Sequence, residues 1–191
     1  MRAILDADGM IEIRGFLRDE TSELHRELDA IVGGFSDRAA YARFLLGTFR
    51  HRAPVETALL RAAAAQVSAW RPRRLLPELE ADLTDLDLPH PLVEPFHLSN
   101  DIAAFLGAAY VLEGSALGAR MLVRGVDVLG FGPGFAARYL SAQAGSLESW
   151  RALLVALERL DRPAWDAAAQ AARAVFLHAI QAFISEELSS A

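Results

Sequence analysis

Residues 99–123 read SNDIAAFLGAAYVLEGSALGARMLV, and their pattern decides the fold. Ser99 or Asn100 is placed to cap a helix, and apolar residues recur at helical spacing from there to about Val123. Gly107, Gly114 and Gly118 stand at i, i+7 and i+11, within ~20° of one line at 100° per residue, with Ala103 close to the same line. Three glycines inside a helix cost about 2–3 kcal/mol relative to alanine. One face is thereby weakened and opened to close backbone approach. Two occupants suit such a face: a tightly packed neighbouring helix, or a wide, flat ligand.

Working outward, the same helical period holds almost everywhere, and alanine, a strong helix former, makes up roughly a fifth of the chain. The reading is an all-α protein. A first helix is expected from about Gly15 to Val32, with Leu17, Leu24, Leu28 and Ile31 as its core stripe. Gly33-Gly34 stops it. Ser36 is the natural cap of a second helix through Tyr41, Phe44, Leu45 and Phe49, which Pro54 interrupts before another from about Val55 to Val67. A helix from Pro77 to Leu86 ends before Pro89-His90-Pro91. Beyond the glycine helix come a loop at 130–134, a short helix to Ser141, a helix from Ser146 to about Leu160, and a last one from Pro163 to Leu188. With no repeat or linker, 191 residues read as a single domain over 1–191, with 1–14 as an extended N-terminal segment.

Composition removes whole classes of chemistry. There is no Cys, which excludes disulfides, thiolate metal sites and Cys nucleophiles. There is no Lys, which excludes Schiff bases and P-loop phosphate binding. The net charge of −6, with no basic segment, argues against nucleic acid. The longest uncharged apolar run, Ile102 to Leu112, is too short to span ~30 Å of hydrocarbon, so a soluble, cytoplasmic protein without a membrane partner is expected. The N-terminus has neither a secretory nor a transit pattern.

Several local signals fail on spacing. Residues 130–134, GFGPG, lack the dinucleotide spacing and follow no strand. Gly114-Ser115 lacks the nucleophile-elbow pattern. Glu94-Pro95-Phe96-His97 fits Glu-x-x-His, but a di-iron site needs a second copy and Pro95 opposes a helix. His51, His90, His97 and His178 have no assignable role, though His178 beside Phe176 and Phe183 is a candidate pocket-lining residue. The stronger feature is His25 with Asp29 at i+4, where the carboxylate reaches the ring. A metal-binding His commonly gives its other ring N–H to such a partner. Arg18 lies at i−7 on the same stripe, ~10 Å along the axis. Alone, this is equally the pattern of a surface His among carboxylates.

Together these residues resemble the haem oxygenase family, in particular its bacterial, bacteriophytochrome-associated branch. The matching segments are Thr21-x-x-x-His25-x-x-Leu28-Asp29, then Leu112-Glu113-Gly114-Ser115-Ala116-Leu117-Gly118-Ala119, then Tyr139-Leu140 followed by Trp150 and Leu153 to Leu160. They lie in order and span about Leu17 to Leu160. The resemblance implies a helical bundle with haem between a proximal and a distal helix. His25 would be the iron ligand, with Thr21 and Asp29 in its motif, and Gly114, Ser115 and Gly118 would form the catalytic distal face. Many members carry Asp where Ser115 stands, and Ser cannot carry charge. The implied reaction uses haem as cofactor and substrate, with O2 and reducing equivalents giving biliverdin, carbon monoxide and ferrous iron. It implies an electron donor, a ferredoxin or flavoprotein reductase, and possible pairing with a bacteriophytochrome. Without Lys, the propionates would have to meet Arg: Arg18 first, then Arg124 and Arg138. A cation at the Arg18 position accompanies alpha-edge cleavage in the family, so the IX-alpha isomer is expected. The rivals are a non-catalytic haem carrier or sensor on this fold, a thiamin-salvage-type helical enzyme, whose Cys-dependent members the composition excludes, and a ligand-free interaction module.

Overall fold

The computed structural model describes residues 12–65 and 70–189, the side chains of 63–65 and 186–189 excepted. Among the described residues there are seven α-helices, one 3-10 turn and no strand: α1 (Ile13–Val32), α2 (Arg38–Ala65), α3 (Leu76–Asp85), α4 (Ile102–Val128), α5 (Arg138–Ala144), α6 (Leu147–Leu157), the turn Arg162–Ala164, and α7 (Trp165–Ser189). The all-α expectation holds.

Most departures from the sequence reading arise where tertiary burial overrides a local rule. α2 runs straight through Pro54. A buried proline in a helix interior costs about 3 kcal/mol, yet Tyr41, Leu45, Val55 and Leu59 are all fully buried along this helix, and their burial holds it continuous. Residues 66 and 67, expected at its end, lie outside the described residues. Its cap is Asp37, whose Oδ1 accepts from Ala40 N at 2.8 Å, rather than Ser36, which donates to Asp37 at 3.0 Å. Likewise Asp101, not Ser99 or Asn100, caps α4 by accepting from Ala104 N at 2.7 Å. α4 continues to Val128 because Val126 is fully buried. α1 starts at Ile13, which is buried, so residues 13 and 14 are helical rather than extended; residues 1–11 lie outside the described residues.

α7 is the axis of the bundle, packing against α1, α2 and α4, while α5 and α6 cover the other flank of α4. One core cluster joins Leu17 of α1, Val55 and Leu59 of α2, Phe105 and Leu106 of α4, Leu153 of α6 and Val175 of α7. A second joins Tyr41 and Leu45, Leu79 and Leu83 of α3, Val126 and Leu140. α4 and α7 have the length and hydropathy to cross a bilayer, but 67% of the most apolar window of α4 is buried inside the bundle. α1 and α4 both lean on α7 and barely touch each other.

Candidate functional site

His25 sits on α1 with its side chain 60% exposed, and its Nδ1 lies 2.9 Å from Asp29 Oδ2. The ring stands edge-on to Phe176 of α7 at 5.6 Å between centroids. One nitrogen is thus held by a carboxylate and the ring is steadied by an aromatic, leaving Nε2 without a partner among the described residues. This is how an imidazole is prepared for a metal. Thr21, one turn earlier, is buried, and its hydroxyl donates to Leu17 O at 2.7 Å. It secures the helix rather than facing an open site.

The glycine line of α4 divides. A Cβ on Gly107 would lie 2.0 Å from the Ala168 carbonyl oxygen, so this glycine exists to bring α4 against α7. A Cβ on Gly114 would make ordinary contact with Trp150 at 3.4 Å. A Cβ on Gly118 would meet nothing within 4 Å. No protein packing accounts for that last glycine. Beside it, Leu117 and Met121 are 49% and 79% exposed, apolar surface that a flat apolar group would cover.

Tyr110 of α4 is packed against the first core cluster. Burial pushes its phenol up, while the charges of Arg14 and Arg18 on α1 pull the other way. Gly114 and Gly118 lie one and two turns beyond Tyr110 on α4. The Trp150 ring lies tilted against Tyr110, 5.4 Å between centroids, and meets the position a Cβ on Gly114 would take.

The arginines expected at the site separate. Arg18 is half-exposed and, among the described residues, holds only its neighbour Asp19, at 3.3 Å. Arg124 is exposed and has no ion pair or hydrogen bond among the described residues. Arg138 is committed elsewhere. Its guanidinium bonds Asp85, Asp82 and Gly134 O, and its own N–H and that of Tyr139 donate to Asp82 at 2.9 and 2.8 Å. It locks α5 onto α3, because burial of Asp82 demands those donors.

Ser115 is exposed, but its oxygen is engaged: it donates to Leu112 O at 2.7 Å and accepts from Gln143 Nε2 at 2.9 Å. Gln143 is buried and continues to Arg52 and Glu56 of α2, both buried. Sequence reading missed this chain. The one available signal was an Arg–Glu pair at i, i+4, Arg52 and Glu56, within α2. His178 lies with its Nδ1 3.3 Å from that of His51, and with Phe96 edge-on at 5.3 Å, away from His25's partners. Glu94 and His97 lie in a segment without regular secondary structure, and no cluster of three metal-ligating side chains exists among the described residues.

The residues present fit haem. A free imidazole nitrogen stands on one helix, and a backbone face with room for a missing Cβ stands on the other. Comparison with known proteins agrees. No family model matches the chain. It is 28% identical over 148 residues to "Heme oxygenase PigA" of Pseudomonas aeruginosa, covering 74% of this chain and 75% of that protein. It is 33% identical over 154 residues to "Heme oxygenase" of Xanthomonas campestris pv. campestris, covering 79% of this chain and 93% of that one. Its fold matches the NO- and CO-bound haem oxygenase of Neisseria meningitidis with a TM-score of 0.70 over 93% of this chain and 92% of that one, at 23% identity. With its glycine helix, its His–Asp pair and a relative a third identical over nearly its whole length, the chain belongs to the haem oxygenase family.

Proposed function

We propose that this chain cleaves haem to biliverdin with His25, Asp29, Gly114, Ser115 and Gly118 as its working residues. The observation that carries the reading is the pairing of a carboxylate-held imidazole on α1 with an unpacked glycine on α4. When bound, haem supplies all the redox chemistry, being cofactor and substrate at once, with O2 and an external electron donor giving biliverdin, carbon monoxide and ferrous iron.

The protein's own work is to hold and shape. His25 offers Nε2 to iron, and Asp29 keeps the other nitrogen protonated and the ring fixed in plane. Gly114 and Gly118 keep the opposite face clear of side chains, so that a diatomic molecule has room. Leu117 and Met121, exposed on α4, would give the ring apolar contact. Arg18 and Arg124, free of strong partners, receive the propionates; Arg138 does not, since Asp82 and Asp85 already hold it. The expected product is the IX-alpha isomer. The electron donor is a ferredoxin or flavoprotein reductase, a bacteriophytochrome is the natural consumer of the bilin, and the protein works in the cytoplasm.

Mixing the purified protein with haemin tests the reading. A Soret band of imidazole-ligated haem is expected from the wild type and not from His25→Ala. No band from either, or the same band from both, overturns it.

A further inference from the structure

The buried chain behind Ser115 has a direction, and that direction reaches the open face of α4. Arg52 is 1% exposed and donates through Nε to Glu56 Oε2 at 2.7 Å. Glu56 is itself held by the backbone N–H groups of Leu75 and Leu76 at 3.0 and 3.2 Å. Arg52 Nη1 lies 3.1 Å from Gln143 Oε1 and 3.4 Å from the Tyr139 hydroxyl. A guanidinium has donors only. The Gln143 atom that faces it must therefore be the oxygen, and the amide nitrogen must point the other way.

Two acceptors meet that nitrogen: Leu112 O at 3.3 Å and Ser115 Oγ at 2.9 Å. Leu112 O can only accept, which independently requires the nitrogen there. Ser115 Oγ then accepts from Gln143, and its single proton goes to Leu112 O at 2.7 Å. A hydroxyl has one donor and two lone pairs. Its donor and one lone pair are spent inside the protein, so one lone pair remains for the exposed side.

We propose that Gln143, oriented by the buried Arg52–Glu56 pair, is a positioning residue that fixes Ser115 as a hydrogen-bond acceptor towards the ligand face of α4. The group Ser115 recognises there is a donor, a water or another protonated oxygen, and it offers no proton to an unprotonated ligand. The neutral serine thus does part of what a carboxylate would do at this position, since a carboxylate also presents lone pairs and no proton. Arg52 Nη2 has no hydrogen-bond partner among the described residues. The inference rests on the haem reading above, because it assumes that Ser115 borders the bound ring.

The test uses the haem-loaded ferrous protein with carbon monoxide as probe. A donor near the ligand oxygen lowers the C–O stretching frequency, whereas an acceptor does not. Wild type and Ser115→Ala should both give a band without the lowering that a donor causes. Gln143→Leu leaves the Ser115 hydroxyl held by Leu112 O alone, so a second rotamer that donates towards the ligand becomes populated and should add a lower-frequency component, sensitive to exchange into D2O. In the Ser115→Ala background, Gln143→Leu should change nothing, a dependence that a merely structural glutamine would not show. Gln143→Met, of similar length and without an N–H, replaces the leucine variant if that one does not fold. A D2O-sensitive lowered band in the wild type, or identical bands with and without Gln143, would overturn the inference. Failure of the wild type to bind haem would show itself first, as a missing Soret band, and would remove the underlying reading together with the inference.

Discussion

His25 and Asp29 are one helical turn apart, and their 2.9 Å contact decides which ring nitrogen remains for a ligand. Because the imidazole is mostly exposed, His25→Ala should leave helicity and melting temperature nearly unchanged while abolishing imidazole ligation and turnover. Asp29→Ala keeps the ligand but loses its orienter, and a loss of about 10–100-fold in haem affinity or activity is expected by haemin titration and turnover assay. Arg18 belongs to the same stripe. A bidentate, partly desolvated guanidinium–carboxylate contact contributes on the order of 1–3 kcal/mol, enough to bias one in-plane rotation of the ring about 5- to 100-fold. Arg18→Ala should therefore weaken haem binding and mix the bilin isomers, as read by chromatography; an unchanged product would assign the seating to other residues. At this scale the sequence was legible where partners are local. The His25–Asp29 pair follows from i, i+4 spacing alone. The fate of Arg138 does not, because Asp82 and Asp85 come from another helix, far away along the chain. The role of Gln143 was hidden for the same reason, as its partners lie on α2 and α4.

At the scale of the element, the three glycines of α4 share a line but not a purpose. Gly107 meets a backbone carbonyl and Gly118 meets open space, so one alanine substitution in each gives opposite results. Gly107→Ala must separate α4 from α7 and should destabilise the protein by about 1–3 kcal/mol, the usual range for overpacking. Gly118→Ala should stabilise the apoprotein by up to about 1 kcal/mol, since alanine is the better helix former and nothing is displaced. Thermal melts without haem measure both. Gly118→Leu should in addition block the ligand face, reducing oxygen or carbon monoxide binding more than it disturbs folding. The sequence placed these glycines correctly yet left packing and ligand access equally open, since a spacing says which face is bare and not what covers it. Pro54 teaches the converse. Its local rule breaks a helix, but the buried side chains on either side keep α2 whole.

For the whole molecule, the bundle is held by apolar burial around α7, and its response to acid is set by a few groups. Burial, with His178 and Arg52 beside it, pushes the His51 imidazole well below its usual range, and burial lowers His178 in the same direction. In the unfolded chain both titrate near ~6.5. The unfolded state therefore binds more protons as pH falls below that value, and stability is full above it and declines on acidification. Asp82, raised by burial, works in the opposite sense at lower pH. His51→Gln should reduce the stability lost between about pH 7 and pH 5, measured by denaturant unfolding at each pH. The helical class was legible, and so was the order of helices apart from the break expected at Pro54, because period and turn residues are local properties. The shared packing of α1 and α4 on α7 was not, because it joins helices far apart along the chain.

At the centre stands haem held by His25 of α1 and the glycine face of α4 for its own oxidation. The most direct measurement follows the absorption spectrum of the haem-loaded wild-type protein as a reductant is added in air. The account predicts that the Soret band decays while a biliverdin band grows, and that iron becomes accessible to a ferrous chelator. A Soret band that persists through repeated reduction and aeration, with no bilin formed, would contradict it and leave a protein that carries haem without cutting it.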